Sequence, residues 1–426
     1  MDRPDTVLRD HGIAIHNGRI HDLAKQDLLH TKYSAQHVIQ LRSHAVIPGL
    51  VNAHTHAAMN LFKGIGDDLE LMTWLETLIW PAEKRFVSPD FVRTGTKLAI
   101  AEMIRGGTTC FNDMYFFPDE TGKVASEMGI RCVLGLILID SPTVWANTPS
   151  EYVSKGTDVH DYFRNNPLIT TAFAPHAPYT VNDQSLRHIG ILAEELDIPI
   201  HMHLHETTHE IQTAVNETGM RPLERIANLG LLSPRLIAVH MTDLTEYELD
   251  KIAFCGSHIV HCPESNLKLG SGFCPLKHIM ERGINIALGT DSAASNNDLD
   301  MIGEMRTATL LAKGVAKSAA AVSAGTILQS ATIGGALALG LANEIGTINI
   351  GKAADLTAID LNRIATQPCY DPISQIVFAS SRDQVTDVWI AGTQLLKGGK
   401  LIGTNVNDLI SSANYWMERI GGNNDK

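Results

Sequence analysis

Two histidines one residue apart, His54 and His56, end an apolar run, AVIPGLVNAHTH (45–56). Further along, His203 and Glu206 form H-x-x-E in PIHMHLHET (199–207), His240 ends LIAVH, and Asp291 follows INIALGT. Neutral imidazole and carboxylate suit Zn²⁺, Fe²⁺ and similar divalent ions, and a catalytic site keeps a position for water. His54, His56, His203 and Asp291 offer three nitrogens and one oxygen. An ion held there would lower the pKa of a water molecule towards neutrality and turn it into a nucleophile. A structural zinc site would more often be closed by thiolates, and the six cysteines contain no CxxC pair.

These residues need a scaffold that brings distant segments together. Apolar runs alternate with helix-period stretches: after 45–56 come TTCFNDMYF, CVLGLILID, LITTAFAPHAPY, PIHMHLHET, LIAVHMTD, HIVHCPESN and INIALGTDSAA. FVRTGTKLAIAEMIRGG and DQSLRHIGILAEELD read as intervening helices. Eight βα units predict an α/β fold, a closed parallel (β/α)8 TIM barrel. The rival doubly wound sheet is disfavoured because no Gly-rich phosphate loop follows an early strand. Barrel enzymes draw catalytic groups from the C-terminal ends of their strands. His54 and His56 end the first run, His176 the fourth, His203 and Glu206 the fifth, His240 the sixth and Asp291 the eighth. Alternation along a strand puts His54 and His56 on one side. Any one of these histidines alone reads as a satisfied core residue, but their convergence on one barrel end reads as a metal site. Within HMHLHET, His201 reads as deeper core, His205 as a loop or rim residue, and Glu206 as a rim carboxyl facing substrate.

The net charge of −13 argues against nucleic-acid and anionic-membrane partners. With 44% hydrophobic and 19% charged residues the chain falls in the globular range. It contains neither a signal-type h-region nor a run of ~18 apolar residues, so the expected compartment is the cytoplasm, with cysteines reduced. Both ends are β-like: IAIHNGRIHDLA (13–24) and HVIQLRSHAVI (37–47), then EIGTINIGKAADLTAIDL (344–361) and DVWIAGTQLLKGG (387–399). They predict one small β-sandwich domain from residues 1–47 plus 347–405, a barrel over 48–346 and a helical tail over 406–426. Only the terminal GGNNDK looks flexible.

PGLVNAHTH (48–56), HLHE (203–206), the isolated His240 and GTDSAASNN (289–297) resemble the amidohydrolase superfamily. Within it they look like the deaminases of 5-methylthioadenosine and S-adenosylhomocysteine. The likeness extends through MTWLETLIWPAEKRF (72–86), FAPHAPYTV (173–181), HCPESNLKLGSG (261–272) and IGTINIGKAADL (345–356). Triazine chlorohydrolases and guanine or cytosine deaminases share much of this framework and form the alternative. The resemblance implies one metal ion on His54, His56, His203 and Asp291, with zinc first and iron, manganese or nickel also compatible. It implies that Asp291 takes up the water's proton, Glu206 shuttles a proton to the purine ring nitrogen, and His240 polarises the attacking water. Glu83 would accept hydrogen bonds from ribose hydroxyls, Trp74 would form a pocket wall, and His176 would be a second substrate contact. A small nucleoside substrate and a homo-oligomer, dimer or tetramer, belong to the same expectation.

One departure stands out. Relatives that accept S-adenosylhomocysteine well carry an arginine in or just after the third strand, to hold the amino-acid carboxylate. Here RCVLGLILIDSPTVWA (131–146) offers only Arg131, at the wrong end of the strand. The uncharged methylthio compound is therefore the expected preference. A catalytically silent scaffold is the rival of another class, and the intact ligand set with Glu206 argues against it.

Overall fold

The computed structural model describes residues 6–422. Eight parallel strands form the central sheet: β4 (Leu50–Thr55), β5 (Thr108–Asp113), β6 (Arg131–Leu138), β7 (Ile169–Pro175), β8 (Ile200–Leu204), β9 (Leu236–His240), β10 (His258–His261) and β11 (Ile286–Leu288). They pair in sequence order, and helices connect them. The seam between first and last strands closes through a parallel bridge of Thr55 with Asp291, where the Asp291 N–H donates to the His54 carbonyl (3.0 Å). The barrel is thus sewn shut at two of the residues expected to hold metal.

The helix Pro89–Arg105 shows why the intervening segments are helical. The Ser88 hydroxyl caps its first turn by accepting from the Phe91 N–H, and Pro89 opens it, where a missing N–H costs nothing. Phe91, Val92, Ala99, Ile100, Met103 and Ile104 fall on its buried face at three- and four-residue spacing.

Both chain ends contribute to a second, antiparallel sheet, β15 (Lys400–Leu401), β14 (Thr393–Lys397), β13 (Val385–Ile390), β12 (Leu356–Asp360) and β3 (His44–Pro48), in that order. A separate hairpin, β1 (His11–His16) and β2 (Arg19–Lys25), turns at Asn17-Gly18, and Ile13 and Ile20 pack with Val46, Leu356, Ala358 and Trp389 of the sheet. Only Gly49 separates β3 from β4, so AVIPGLVNAHTH is two strands in two sheets. A Cβ on Gly49 would lie 2.0 Å from Thr109 Oγ1, so the crossing from sheet to barrel accepts no side chain.

Other sequence expectations need amendment. Of HVIQLRSHAVI, only the part from His44 is strand, and Gln26–Lys32 is a helix. Of EIGTINIGKAADLTAIDL, only Leu356–Asp360 is strand. The preceding stretch is irregular backbone tied to β2 through Ile20 N–H to Lys352 O and Gly351 N–H to Ile20 O. The tail forms the helix Val406–Gly421, whose Trp416 meets Phe91 edge-on (5.1 Å), while residues 423–426 of the flexible-looking terminus lie outside the described residues. No helix among the described residues is long and apolar enough to cross a membrane.

Arg131 opens β6 at the N-terminal end of the barrel, away from the strand ends that carry the histidines. Its guanidinium donates to both carboxylate oxygens of Asp355 (Nε 2.7 Å, Nη2 3.2 Å), just before β12, and to the Pro167 carbonyl. Breaking a buried pair by removing one partner costs ~3–5 kcal/mol. Arg131→Ala is therefore expected to lower the denaturation midpoint markedly while leaving KM unchanged. A changed KM at unaltered stability would make Arg131 a substrate ligand instead.

Candidate active site

Three imidazole Nε2 atoms and one carboxylate oxygen meet at the C-terminal mouth of the barrel. His203 Nε2 lies 3.2 Å from that of His54 and 3.3 Å from that of His56, and Asp291 Oδ1 lies 3.3 Å from both His54 and His56. Bonds of ~2.0–2.1 Å at tetrahedral angles around one ion put neighbouring donor atoms ~3.3–3.4 Å apart. Four of the six pairs among these atoms have that spacing. His56 Nδ1–H donates to Met114 O and His203 Nδ1–H to His176 O (2.8 Å), so each Nε2 turns a lone pair inward. Lone pairs facing one another across 3.3 Å repel unless a cation lies between them, and these residues fit a divalent metal.

The Asp291 carboxylate is held just as firmly. Asp291 Oδ2 accepts from Ser265 Oγ (2.6 Å) and Ser295 Oγ (3.1 Å), which leaves Oδ1 towards the histidines. His54 Nδ1 pairs with His201 Nε2 (2.7 Å), and the other side of His201 meets the Asn112 amide (3.1 Å). Partners of this kind fix ring orientation and tautomer. His201 is buried as expected of a core residue, but it also orients the His54 ring.

Protonation fits the same purpose. Burial holds His54 down to about 4 and His203 well below the ordinary imidazole range, keeping both neutral. Burial opposes ionisation of Asp291, yet the adjacent His54 and His56 rings outweigh it and hold the carboxyl well below its usual value. For His56 burial is again the larger opposing effect, and the adjacent Asp291 carboxylate raises it.

His56 does not reach this cluster by simple strand alternation. Strand β4 ends at Thr55 and its register with β5 shifts twice; His56 then opens the short helix Ala57–Phe62. Left-handed backbone at His205 (φ 52°), His240 (φ 77°) and Asp291 (φ 61°) similarly redirects the chain at three strand ends. Non-glycine residues adopt that conformation rarely, so a plain period-two reading fails at those turns.

A cavity of about 680 Å³ opens over the cluster, lined by His56, His203, His240, Glu206, Asp291 and His176 at its floor. Glu206 and His240 adjoin the histidine cluster, with Glu206 Oε2 3.9 Å from His240 Nε2. Burial raises the Glu206 carboxyl above the ordinary range, with His240 partly offsetting this. His240 Nδ1 is held by Asn266 Oδ1 (2.8 Å).

One cavity wall is the segment Leu71–Phe86, helical at both ends with a π-helical turn over Leu75–Ile79. Such turns are frequent at functional sites. Trp74, Leu75, Ile79, Trp80 and Glu83 all line the cavity. Trp74 is pinned by its indole N–H to Ile65 O (2.8 Å), and Glu83 Oε1 accepts from the Tyr115 hydroxyl (2.8 Å). Burial pushes the Glu83 carboxyl up to about 7, against the lowering effect of Tyr115.

One expectation from sequence is corrected. His205 is not at the rim: it is fully buried, its Nδ1 bonds to Asp243 O (2.9 Å) and its Nε2 accepts the Leu223 N–H (3.0 Å). Outside the stretch 131–146, Lys84 lines the cavity and is exposed to solvent. Tyr115, Ser265, Ser295 and Asn266 were not anticipated. HCPESN at the end of the seventh run carried a signal for two of them, since Ser265 and Asn266 are polar residues on the short helix Pro263–Lys268 that follows the strand.

A parallel barrel that gathers histidines and an aspartate at its C-terminal mouth defines a metal-dependent barrel hydrolase. The particular family follows from the comparison of sequences: residues 45–395 match the amidohydrolase family, and the chain belongs to it. A 5-methylthioadenosine/S-adenosylhomocysteine deaminase of Teredinibacter turnerae is 43% identical over 415 residues, 97% of this chain and 94% of the relative. A 5'-deoxyadenosine deaminase of Methanothrix thermoacetophila is 42% identical over 318 residues, 74% of each chain. Among solved structures, an adenosine deaminase from Xanthomonas campestris with bound zinc superposes with a TM-score of 0.97 at 48% identity, covering 98% of this chain and 96% of that one.

Proposed function

We propose that this chain is a zinc-dependent deaminase of adenine nucleosides, with 5-methylthioadenosine as its preferred substrate and ammonia and a hypoxanthine nucleoside as products. The observation that carries this reading is one cavity that holds Glu206 beside the histidine cluster and Glu83 on its wall. The relatives named above, which act on adenine nucleosides by name, support it, and zinc in the Xanthomonas structure supports that metal.

His54, His56, His203 and Asp291 would hold the metal, which would supply an acidified water as nucleophile for the carbon bearing the exocyclic amine. Asp291 would take up the proton released by that water and pass it to the exocyclic amine, which leaves as ammonia when the C–N bond breaks. Glu206 carries a proton to the adjacent ring nitrogen, the step an amine leaving group needs most, and its raised pKa keeps a proton available. His240, oriented by Asn266, hydrogen-bonds the attacking oxygen. Glu83 has one oxygen on Tyr115 and presents the other to the ribose hydroxyls, while Trp74 and His176 border the nucleoside.

Away from the histidine cluster, the cavity walls include Ile139, Pro142, Val144, Leu71 and Trp80 together with Ser141 and Thr143, and Lys84 lines it too. An exposed ammonium pairing with a carboxylate is worth ~0–1 kcal/mol, whereas burying a polar group without compensation costs ~1–3 kcal/mol. The kcat/KM for 5-methylthioadenosine is therefore expected to exceed that for S-adenosylhomocysteine by ~10-fold. Release of ammonia from these two compounds, adenosine and guanine, and of chloride from a chlorotriazine, tests the whole reading. Equal use of S-adenosylhomocysteine would remove the preference; turnover of guanine or the triazine alone would remove the nucleoside assignment.

A further inference from the structure

The chain must reverse direction sharply after β8 for Glu206 to enter the cavity, and it does so through the left-handed residue His205. That turn is gripped from both sides. On one side, the Glu210 carboxylate accepts the N–H of Glu206 (2.7 Å, Oε2) and of His205 (3.2 Å, Oε1). On the other, the Thr242 hydroxyl lies 2.9 Å from the Glu206 carbonyl and 3.1 Å from that of His205, whose carbonyl also accepts the Thr242 N–H (2.9 Å).

Glu210 departs from what its position in the helix would suggest. It is the third residue of the helix Thr208–Thr218, whose cap, Thr207, accepts the Glu210 N–H (3.1 Å). A glutamate there ordinarily turns back to the N–H of the capping residue, completing a capping box. Here it reaches past Thr207 to the two preceding residues. Helix capping alone does not ask for that reach; holding the backbone of Glu206 does.

We infer that Glu210 is a positioning residue, acting with Thr242 to aim the Glu206 carboxyl at the substrate ring. This rests on the reading of Glu206 as the proton carrier. Glu210 contacts none of His54, His56, His203 and Asp291 in the hydrogen-bond network, so its effect runs through Glu206 and not through metal binding. Glu210→Gln keeps the side chain's size, but its amide nitrogen turns a donor towards one of the two N–H groups. Misplacement of a reacting group by ~1 Å can cost ~10²-fold in rate.

The test is a double-mutant cycle on the metal-loaded enzyme with 5-methylthioadenosine. Glu210→Gln should lower kcat by ~10–10²-fold with KM and metal stoichiometry unchanged. In the Glu206→Gln background the same substitution should cost nothing further. Wild-type kcat in Glu210→Gln, loss of metal, or an equal loss in both backgrounds would overturn the inference. Wild-type turnover by Glu206→Gln would instead remove the reading on which it rests. If Glu210→Gln does not fold, Thr242→Val carries the same cycle from the other side of the turn, with the same outcomes.

Discussion

Chelation of the metal is expected to lower ammonia release by ~10³-fold or more, and one equivalent of Zn²⁺ to restore it. The reason is in the donor atoms: His54, His56, His203 and Asp291 point inward at separations of 3.2–3.3 Å. None of these side chains is itself a nucleophile for the purine ring, and without a cation they cannot acidify water. Stability should fall as well, because His54 and Asp291 face each other across the seam that closes the barrel. A ligand present at a thousand times its Kd stabilises the folded state by ~4 kcal/mol, so the apo-enzyme should melt several degrees lower. Full activity after verified metal removal would contradict this account of the nucleophile.

Glu206→Gln is expected to keep one metal per chain and yet lose ~10²–10⁴-fold in kcat, the usual contribution of a positioned acid–base group. Glutamine fills the same space and can hydrogen-bond to the ring nitrogen, but it cannot deliver a proton to it. Glu206 is hydrogen-bonded to none of the four metal donors; its carboxyl lies 3.9 Å from His240. Metal analysis and kcat should therefore separate cleanly. Loss of metal would make Glu206 a ligand, and near-wild-type turnover would leave ring protonation to another group.

Much of this arrangement was legible before any fold was known, because the chemistry sits on strands. A buried strand reads as an apolar run, and a histidine or aspartate at its end is conspicuous against that background, as with His240 after LIAV and Asp291 after IALGT. The number of runs gave the barrel for the same reason. What stayed hidden depends on how backbone turns after strands. His205 shares its strand face by simple alternation with His203, yet a left-handed turn buries it against Asp243 and Leu223. Lys84 lies in an amphipathic stretch whose cavity-facing side is set by a π-helical turn that no periodicity announces. Ser265 and Ser295 are ordinary residues until Asp291 is seen between them. The split of AVIPGLVNAHTH between two sheets at Gly49 was equally invisible, since an apolar run continues through it.

Everything proposed for catalysis depends on a single cation between four side chains. Anomalous scattering at the zinc absorption edge, from crystals of zinc-loaded enzyme before and after chelation, addresses that most directly. One strong peak per chain, at ~2.0–2.2 Å from the Nε2 atoms of His54, His56 and His203 and from Asp291 Oδ1, and lost on chelation, is the expected result. A barrel mouth with no peak in fully active crystals, or a metal bound elsewhere while those four atoms stay unligated, would contradict it.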